Sequence, residues 1–309
     1  METKGVLPCN NNKTKANKMK RKEILEKKKA MDELIKVASA EKDHLSSFHA
    51  FRHYQKNGLS ACLESGTGDQ LSSSLKYYIQ NLLKANMEGP YGTEWPVEEK
   101  VKRREMVASE ARYIFVYEAL DANANELLTV SEKERTSGIC MEERGSLLGF
   151  VHFRFVIEED LPVLYVYELQ LESHVQGKGL GKFLMQLIEL IARKNHMTAV
   201  VLTVQKANLV AMNFYTSKMR YVISSISPSK VDPWLGTQKS YEILCKSFSN
   251  DAKAILEVSF KLVFFCNVSG TITSVGASLH AILDTYKETR IGSIDLSFLS
   301  YSSRVVEIL

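Results

Sequence analysis

The sequence predicts a mixed α/β domain, helices and strands around one twisted sheet, preceded by a basic helical extension. Three observations predict it. Segments rich in aromatic and β-branched residues, such as Tyr113 to Tyr117, alternate with segments whose apolar residues recur at helical spacing. A glycine-rich run, Val175-Gln176-Gly177-Lys178-Gly179-Leu180-Gly181-Lys182, joins a strand-like stretch to a helix-like one. Residues 11–30 hold nine basic residues against Glu23 and Glu26, a net +7, in a chain whose overall charge is +4.

In chain order, residues 1–16 are polar and lysine-rich and read as disordered. Ile24, Met31, Leu34, Ile35 and Ala38 mark one face of a long helix from Lys18 to Lys42, within a basic extension over 17–57. A first strand is expected from Gly58 to Glu64, opening the main domain over 58–246. Leu75, Tyr78, Ile79, Leu82 and Leu83 predict a helix from Leu71 to Met87, broken by Gly89-Pro90-Tyr91-Gly92. Val97 to Ala108 reads as a short charged helix and Tyr113 to Tyr117 as a strand. The polar stretch 119–146 reads as a long inserted loop.

Leu147 to Ile157 is the next strand, and Leu161-Pro162 marks the turn into Val163 to Leu171. After the glycine run, Leu180, Phe183, Leu184, Leu187, Ile188 and Ile191 form a helical stripe. Ala199 to Val204, Arg220 to Ser225 and Ser240 to Cys245 read as strands, and Asn208 to Ser217 as a short helix. Residues 247–309 form an atypical tail whose Ile255 to Phe265 run is β-prone and carries no evident chemistry.

At 309 residues, 45% apolar and 25% charged, the chain has a globular composition and length enough to bury a core. Cys9, Cys62, Cys140, Cys245 and Cys266 are scattered without a C-x-x-C pair, which points to a reducing compartment. His152 and His174 lack partners at metal spacing, so no metal is expected. No window reaches 18 apolar residues and no signal-peptide core is seen, so the expected location is nucleus and cytoplasm, with no membrane partner. The lysine-rich helix lacks interleaved aromatics, so direct nucleic-acid recognition is not expected.

The glycine run carries the chemistry. Glycines let backbone N–H groups approach a ligand, and the free N–H groups of a helix's first turn favour anions. A strand-to-helix corner of this kind predicts a pyrophosphate cradle. The run is not a dinucleotide fingerprint, because Leu184 stands where the last glycine would fall, and no G-x-x-x-x-G-K-[ST] loop is present.

The spacing Gln176, Gly179, Gly181 resembles the acetyl-CoA loop of the Gcn5-related N-acetyltransferases (GNAT). Further strings follow in one order. They are Asn86-Met87, Tyr91 and Trp95; His152-Phe153-Arg154-Phe155; Tyr165-Val166-Tyr167-Glu168-Leu169-Gln170-Leu171-Glu172-Ser173; Leu202-Thr203-Val204-Gln205-Lys206-Ala207-Asn208; and Ser240-Tyr241-Glu242. Together they resemble the NatD-type N-alpha-acetyltransferases, a histone-selective family within that superfamily.

The resemblance implies a GNAT fold and acetyl transfer from acetyl-CoA to the N-terminal serine of histone 4 and histone 2A tails, Ser-Gly-Arg-Gly, by a monomer. It implies cofactor contacts at Leu169, Gln170, Leu171, Gln176, Gly177, Lys178, Gly179, Leu180, Gly181, Lys182 and Asn208. It places Tyr91, Trp95, Glu158, Tyr165, Tyr167, Thr203 and Tyr241 around the peptide, with Glu168 and Tyr91 as catalytic groups. A GNAT enzyme acting on lysine side chains or small amines, and a chromatin-binding homologue with weak turnover, are the alternatives.

Four features depart from the family: Val156 stands where it has an aspartate for the substrate arginine, the Tyr91–Trp95 spacing is one residue short, the loop between Tyr117 and Leu147 is long, and the tail after Phe248 is foreign to the pattern. In an unbroken strand Tyr165 and Tyr167 point one way and Glu168 the other, so a shared site requires a bulge.

Overall fold

The computed structural model describes residues 11–119 and 144–258. Helix α1 (Asn11–Ala40) leads into strands β1 (His53–Lys56) and β2 (Leu59–Thr67), then helices α2 (Ser73–Tyr91) and α3 (Trp95–Glu105). Strands β3 (Arg112–Ala119), β4 (Arg144–Glu158) and β5 (Leu161–Leu171) follow. Helix α4 (Leu180–Lys194), strand β6 (Ala199–Gln205) and helix α5 (Leu209–Asn213) come next, α5 continuing into a π-helical turn, Phe214–Lys218. The order closes with β7 (Val222–Ile223), α6 (Pro228–Val231), α7 (Pro233–Gln238), β8 (Tyr241–Ser247) and α8 (Asn250–Leu256). The chain divides into Met1–Ser259 and Phe260–Leu309, and the second unit lies wholly outside the described residues.

The strands form one mixed sheet in the order β1-β2-β3-β4-β5-β6-β8-β7, antiparallel except for β5 beside β6. Alternation along the strands feeds two layers. Ile114, Val116, Val151, Phe153, Leu164 and Val166 join the apolar stripe of α4 and Ala38 of α1 on one face. Tyr113, Phe115 and Phe150 meet Ile79, Leu82 and Leu83 of α2 and Trp95 of α3 on the other. Helix α8 covers the β6–β8 corner through Ala252 and Leu256. The fold is the mixed α/β sheet that the periodicities predict.

Several boundaries differ from the sequence reading. Helix α1 begins at Asn11, so residues 11–16, expected as disordered, continue it. The expected first strand is the second limb of a hairpin whose turn, Asn57-Gly58, has positive φ at both residues, 53° and 68°. The first limb, β1, falls within the stretch expected to be helical extension. Gly89-Pro90 does not break α2, which runs to Tyr91; Gly92, at φ 54°, ends it. A proline in the last turn removes one N–H but leaves the upstream hydrogen bonds intact.

The turn expected at Leu161-Pro162 sits instead at Glu159-Asp160, both left-handed, and β5 already includes the proline. Helices α6 and α7 occupy a stretch with no expected element. Asn250–Leu256 is a helix capped by the Ser249 side chain, so the β-prone run begins, at Ile255 and Leu256, as helix. Residues 259–265 of that run, most of the 119–146 insertion, and Cys9, Cys140 and Cys266 lie outside the described residues. Among the described residues no helix is long and apolar enough to cross a membrane.

Candidate active site

A bulge in β5 organises the site. His152 pairs with Glu168 but Phe153 pairs with Val166, leaving Tyr167 as the extra residue. The consequence is a change of face. Leu164, Val166, Leu169 and Leu171 pack into the α4 layer, while Tyr165, Tyr167, Glu168 and Gln170 line the opposite cleft. The bulge that the residue pattern required is present, and it brings both tyrosines and the carboxylate to one side.

The second organising feature is a splay. Strands β5 and β6 pair only from Val163↔Ala199 to Val166↔Leu202. Beyond that point the main chain of Tyr167 to Leu171 turns an unpaired edge toward the cleft, a volume of about 2020 Å³. The glycine loop closes the floor of this opening. Gly177 and Gly179 have φ of 74° and 93°, a region that side chains disfavour, and a Cβ on Gly179 would meet the Tyr54 hydroxyl at 3.0 Å. Helix α4 then starts at Leu180, so the first-turn N–H groups lack intrahelical acceptors and face the loop.

Neighbouring side chains hold the loop. Gln176 Nε2 donates to the Leu171 carbonyl at 3.0 Å, and Asn86 Nδ2 donates to the same oxygen at 3.2 Å. From the β1–β2 hairpin, Tyr54 Oη and Asn57 Nδ2 donate to the Lys178 carbonyl at 2.7 and 2.8 Å. The two hairpin side chains thus fix the Lys178 carbonyl at the middle of the loop.

At the other end of the cleft, Glu168 is buried and both its carboxylate oxygens are engaged. One pairs with Lys102 Nζ; the other accepts from Gln170 Nε2 at 2.8 Å, and Gln170 in turn accepts from Asn86 at 2.9 Å. Burial works against the Lys102 ammonium, yet Glu168 and Tyr91 outweigh it and raise its pKa above the ordinary lysine value. Lys102 Nζ also lies 5.3 Å from the Tyr91 ring centroid, a cation–π distance.

The tyrosines form a second group. Tyr165 Oη lies 2.5 Å from Thr203 Oγ1, and burial pushes its phenol up to about 12, so it stays protonated at neutral pH. Tyr167 is stacked between His152, at 4.9 Å, and the Arg154 guanidinium, at 4.4 Å. His152 is neutral, because burial holds its pKa well below the usual imidazole range. Across the mouth, Ser240 Oγ donates to Glu94 Oε2 at 2.9 Å, bridging β8's approach to the α2–α3 turn.

Most of the sequence-expected residues meet here. Tyr91, Glu158, Tyr165, Tyr167, Glu168, Leu169, Gln170, Leu171, Gln176, Gly177, Gly179, Gly181, Lys182, Thr203, Asn208 and Tyr241 all line the cleft. Trp95 does not; it is buried in the core beneath Tyr91, their rings 5.9 Å apart. The Leu180 side chain is buried in the α4 layer, and Lys178 contributes the carbonyl that Tyr54 and Asn57 hold. Asn208 caps α5, its Oδ1 accepting from Ala211 N at 3.0 Å. Val156 packs with the β6–β8 corner, and Glu158 is the acidic residue of that strand end at the cleft.

Lys102, Asn86, Tyr54 and Asn57 have no assigned role from sequence. For Lys102 a signal existed: Trp95, Lys102 and Met106 are 7 and 4 apart, one helical stripe, with Trp95 and Met106 buried.

Residues 90–220, spanning the tyrosines, the bulge and the glycine loop, match the acetyltransferase (GNAT) family. The matched stretch is 131 of the chain's 309 residues.

The chain is also similar to solved acetyltransferases. One is the PaiA N-acetyltransferase of Thermoplasma acidophilum in complex with coenzyme A, 16% identical over 60% of this chain and 99% of that one, TM-score 0.38. Another is Arabidopsis thaliana Naa50 in complex with the bisubstrate analogue CoA-Ac-MVNAL, 16% identical over 61% and 99%, TM-score 0.36. A third is Arabidopsis thaliana NAA60 with a bisubstrate analogue, 12% identical over 61% and 99%, TM-score 0.38. Tyr54, Asn57, Asn86 and Tyr241 fall outside the GNAT-matched residues yet touch its loop or cleft.

The residues present fit a coenzyme A diphosphate: free first-turn amides, glycines at left-handed φ and the Lys182 side chain at the cleft.

Proposed function

We propose that this cleft transfers the acetyl group of acetyl-CoA to the α-amino group of a chain beginning Ser-Gly-Arg-Gly, the tail of histone 4 and histone 2A. The observation that carries the proposal is the β5 bulge. It sets Tyr165, Tyr167 and Glu168 on one face, beside the unpaired edge that leads to the glycine loop.

Acetyl-CoA supplies a thioester, an acyl group already activated toward an amine. The glycine loop and α4 amides bind its diphosphate. The splayed edge of β5 offers main-chain N–H groups to the charge that grows on the thioester oxygen as the amine nitrogen attacks. The C–N bond forms and the C–S bond breaks; the sulfur leaves as thiolate. Glu168 takes the proton released from nitrogen through a water, and the protonated Tyr91 phenol is placed to return one to the leaving sulfur. Burial raises the Tyr91 pKa, which keeps that proton in place at neutral pH.

An α-amine titrates near 7.7–8.0 and a lysine side chain near 10.4, so a terminus needs far less help to become nucleophilic. The hydroxyls of Tyr165 and Thr203 suit a small, polar first residue. Glu158, half-buried at the cleft, takes the arginine-binding role in place of Val156. Intact-mass spectrometry of Ser-Gly-Arg-Gly peptides incubated with enzyme and acetyl-CoA tests the proposal. One added acetyl group on the free peptide, and none on its N-terminally blocked form, is the expected result. With a longer peptide that begins Ser-Gly-Arg-Gly and carries a lysine further on, acetylation of the N-terminally blocked form instead supports a lysine acetyltransferase.

A further inference from the structure

Lys102 is a charged side chain only 11% exposed, anchored on α3 and aimed into the cleft at Glu168. A buried pair of this kind is a poor source of stability, since desolvation offsets most of its Coulomb attraction. Its consequence for chemistry is clearer. An unpaired Glu168 carboxylate would bind an incoming α-ammonium as a salt, and a salt-bridged amine keeps its proton and loses its nucleophilic lone pair. With Lys102 opposite, the pair is electrically neutral and the ammonium position of the site is already taken.

The nearest further charges come with both signs: Glu105 feels both Lys102 and Glu168, and Arg154 opposes Glu105. Lys102 and Glu168 are faced by Tyr91 from α2, Glu105 from α3 itself, Tyr113 from β3, His152 from β4 and Tyr215 from the π-helical turn, with Glu98 and Arg154 beside Glu105. His152 is neutral for the reason given above; burial raises the Glu105 carboxyl while Lys102 and Arg154 lower it, and the Arg154 guanidinium also donates to the Glu105 carbonyl and lies over the Tyr167 ring.

We propose that Lys102 is a positioning residue for acetyl transfer. It fixes the Glu168 carboxylate and cancels its charge, so that the peptide terminus enters and stays as a free amine. The inference rests on the α-amine reading of the site and adds its means of selecting the amine's protonation state.

The test is the pH dependence of kcat with a Ser-Gly-Arg-Gly peptide, which reports groups in the bound complex. Lys102→Gln is expected to move the acidic limb alkaline by about one unit, with kcat at pH 7 roughly tenfold lower and peptide KM equal or lower. Acetyl-CoA affinity by calorimetry stays at the wild-type value, and Lys102→Arg returns the limb to its wild-type position. A Lys102→Gln enzyme that is slow at every pH with an unmoved midpoint overturns the inference and leaves the α-amine reading intact.

Should that variant fail to fold, the wild-type enzyme saturated with coenzyme A decides. Calorimetry in two buffers of different ionisation enthalpy should show a proton released when the free-terminus peptide binds at pH 7, and none for the blocked peptide. Binding without release overturns the inference. A wild-type enzyme that acetylates no free terminus overturns the α-amine reading, and this inference with it.

Discussion

The Tyr54 hydroxyl donates to the Lys178 carbonyl at 2.7 Å, joining residues 124 positions apart. A strand from the start of the sheet thus tethers the glycine loop near its middle. Tyr54→Phe should lower acetyl-CoA affinity about fivefold, the worth of roughly 1 kcal/mol for one hydrogen bond, because Asn57 alone then holds the carbonyl. Calorimetric titration checks it; an unchanged Kd would remove the hairpin from the cofactor site.

Gly179 combines a φ of 93° with first-turn amides beside it. Gly179→Ala should weaken cofactor binding by about 1–2 kcal/mol through backbone strain and the close approach of its Cβ to the Tyr54 hydroxyl. Gly179→Asp should weaken it further by repelling the phosphates, and only this second part should shrink as salt is raised from 50 to about 500 mM. Equal losses for the two variants would show that strain, not charge, governs the loop.

Glu168→Gln retains the shape of the side chain and removes its basicity. The expected loss in kcat is about 10²-fold or more, with acetyl-CoA affinity close to wild type. Turnover unaltered across the pH range would exclude Glu168 as proton acceptor.

His44 links charge to folding rather than to catalysis. It is buried against the rings of Phe153 and Phe155, and burial lowers its pKa from 6.5 to about 4, with nearby Glu41 opposing. The unfolded chain therefore binds this proton more readily than the folded one. Stability is full above about 6.5 and declines as pH falls toward 4, where the deficit reaches roughly 3 kcal/mol. In His44→Phe the slope of stability against pH in that window should flatten; thermal melts at pH 4.5 and 7 provide the comparison.

Much of this was legible in the sequence because two periods speak plainly. The α4 stripe and the aromatic strand β3 lie where their 3.6- and 2-residue repeats put them. The bulge, too, follows from wanting Tyr165, Tyr167 and Glu168 at one site. Less legible was anything decided by contact across the chain. Asn57-Gly58 is a strong hairpin signal, but its purpose, holding Lys178, emerges only when β1 lies beside the loop. Lys102 hides among Lys100, Arg103 and Arg104, and only the buried neighbours Trp95 and Met106 single it out. Trp95, expected at the substrate, packs in the core, because an aromatic beside Tyr91 reads equally as lining or as support.

The reversal at Tyr167 makes strand length, as well as residue identity, a determinant of activity. Removing one residue from 163–171 would restore plain alternation and swing the carboxylate into the apolar layer while leaving the rest of the sheet's pairing recoverable. An enzyme shortened there could fold, bind coenzyme A and remain inert, its acid group facing the wrong side of its own backbone.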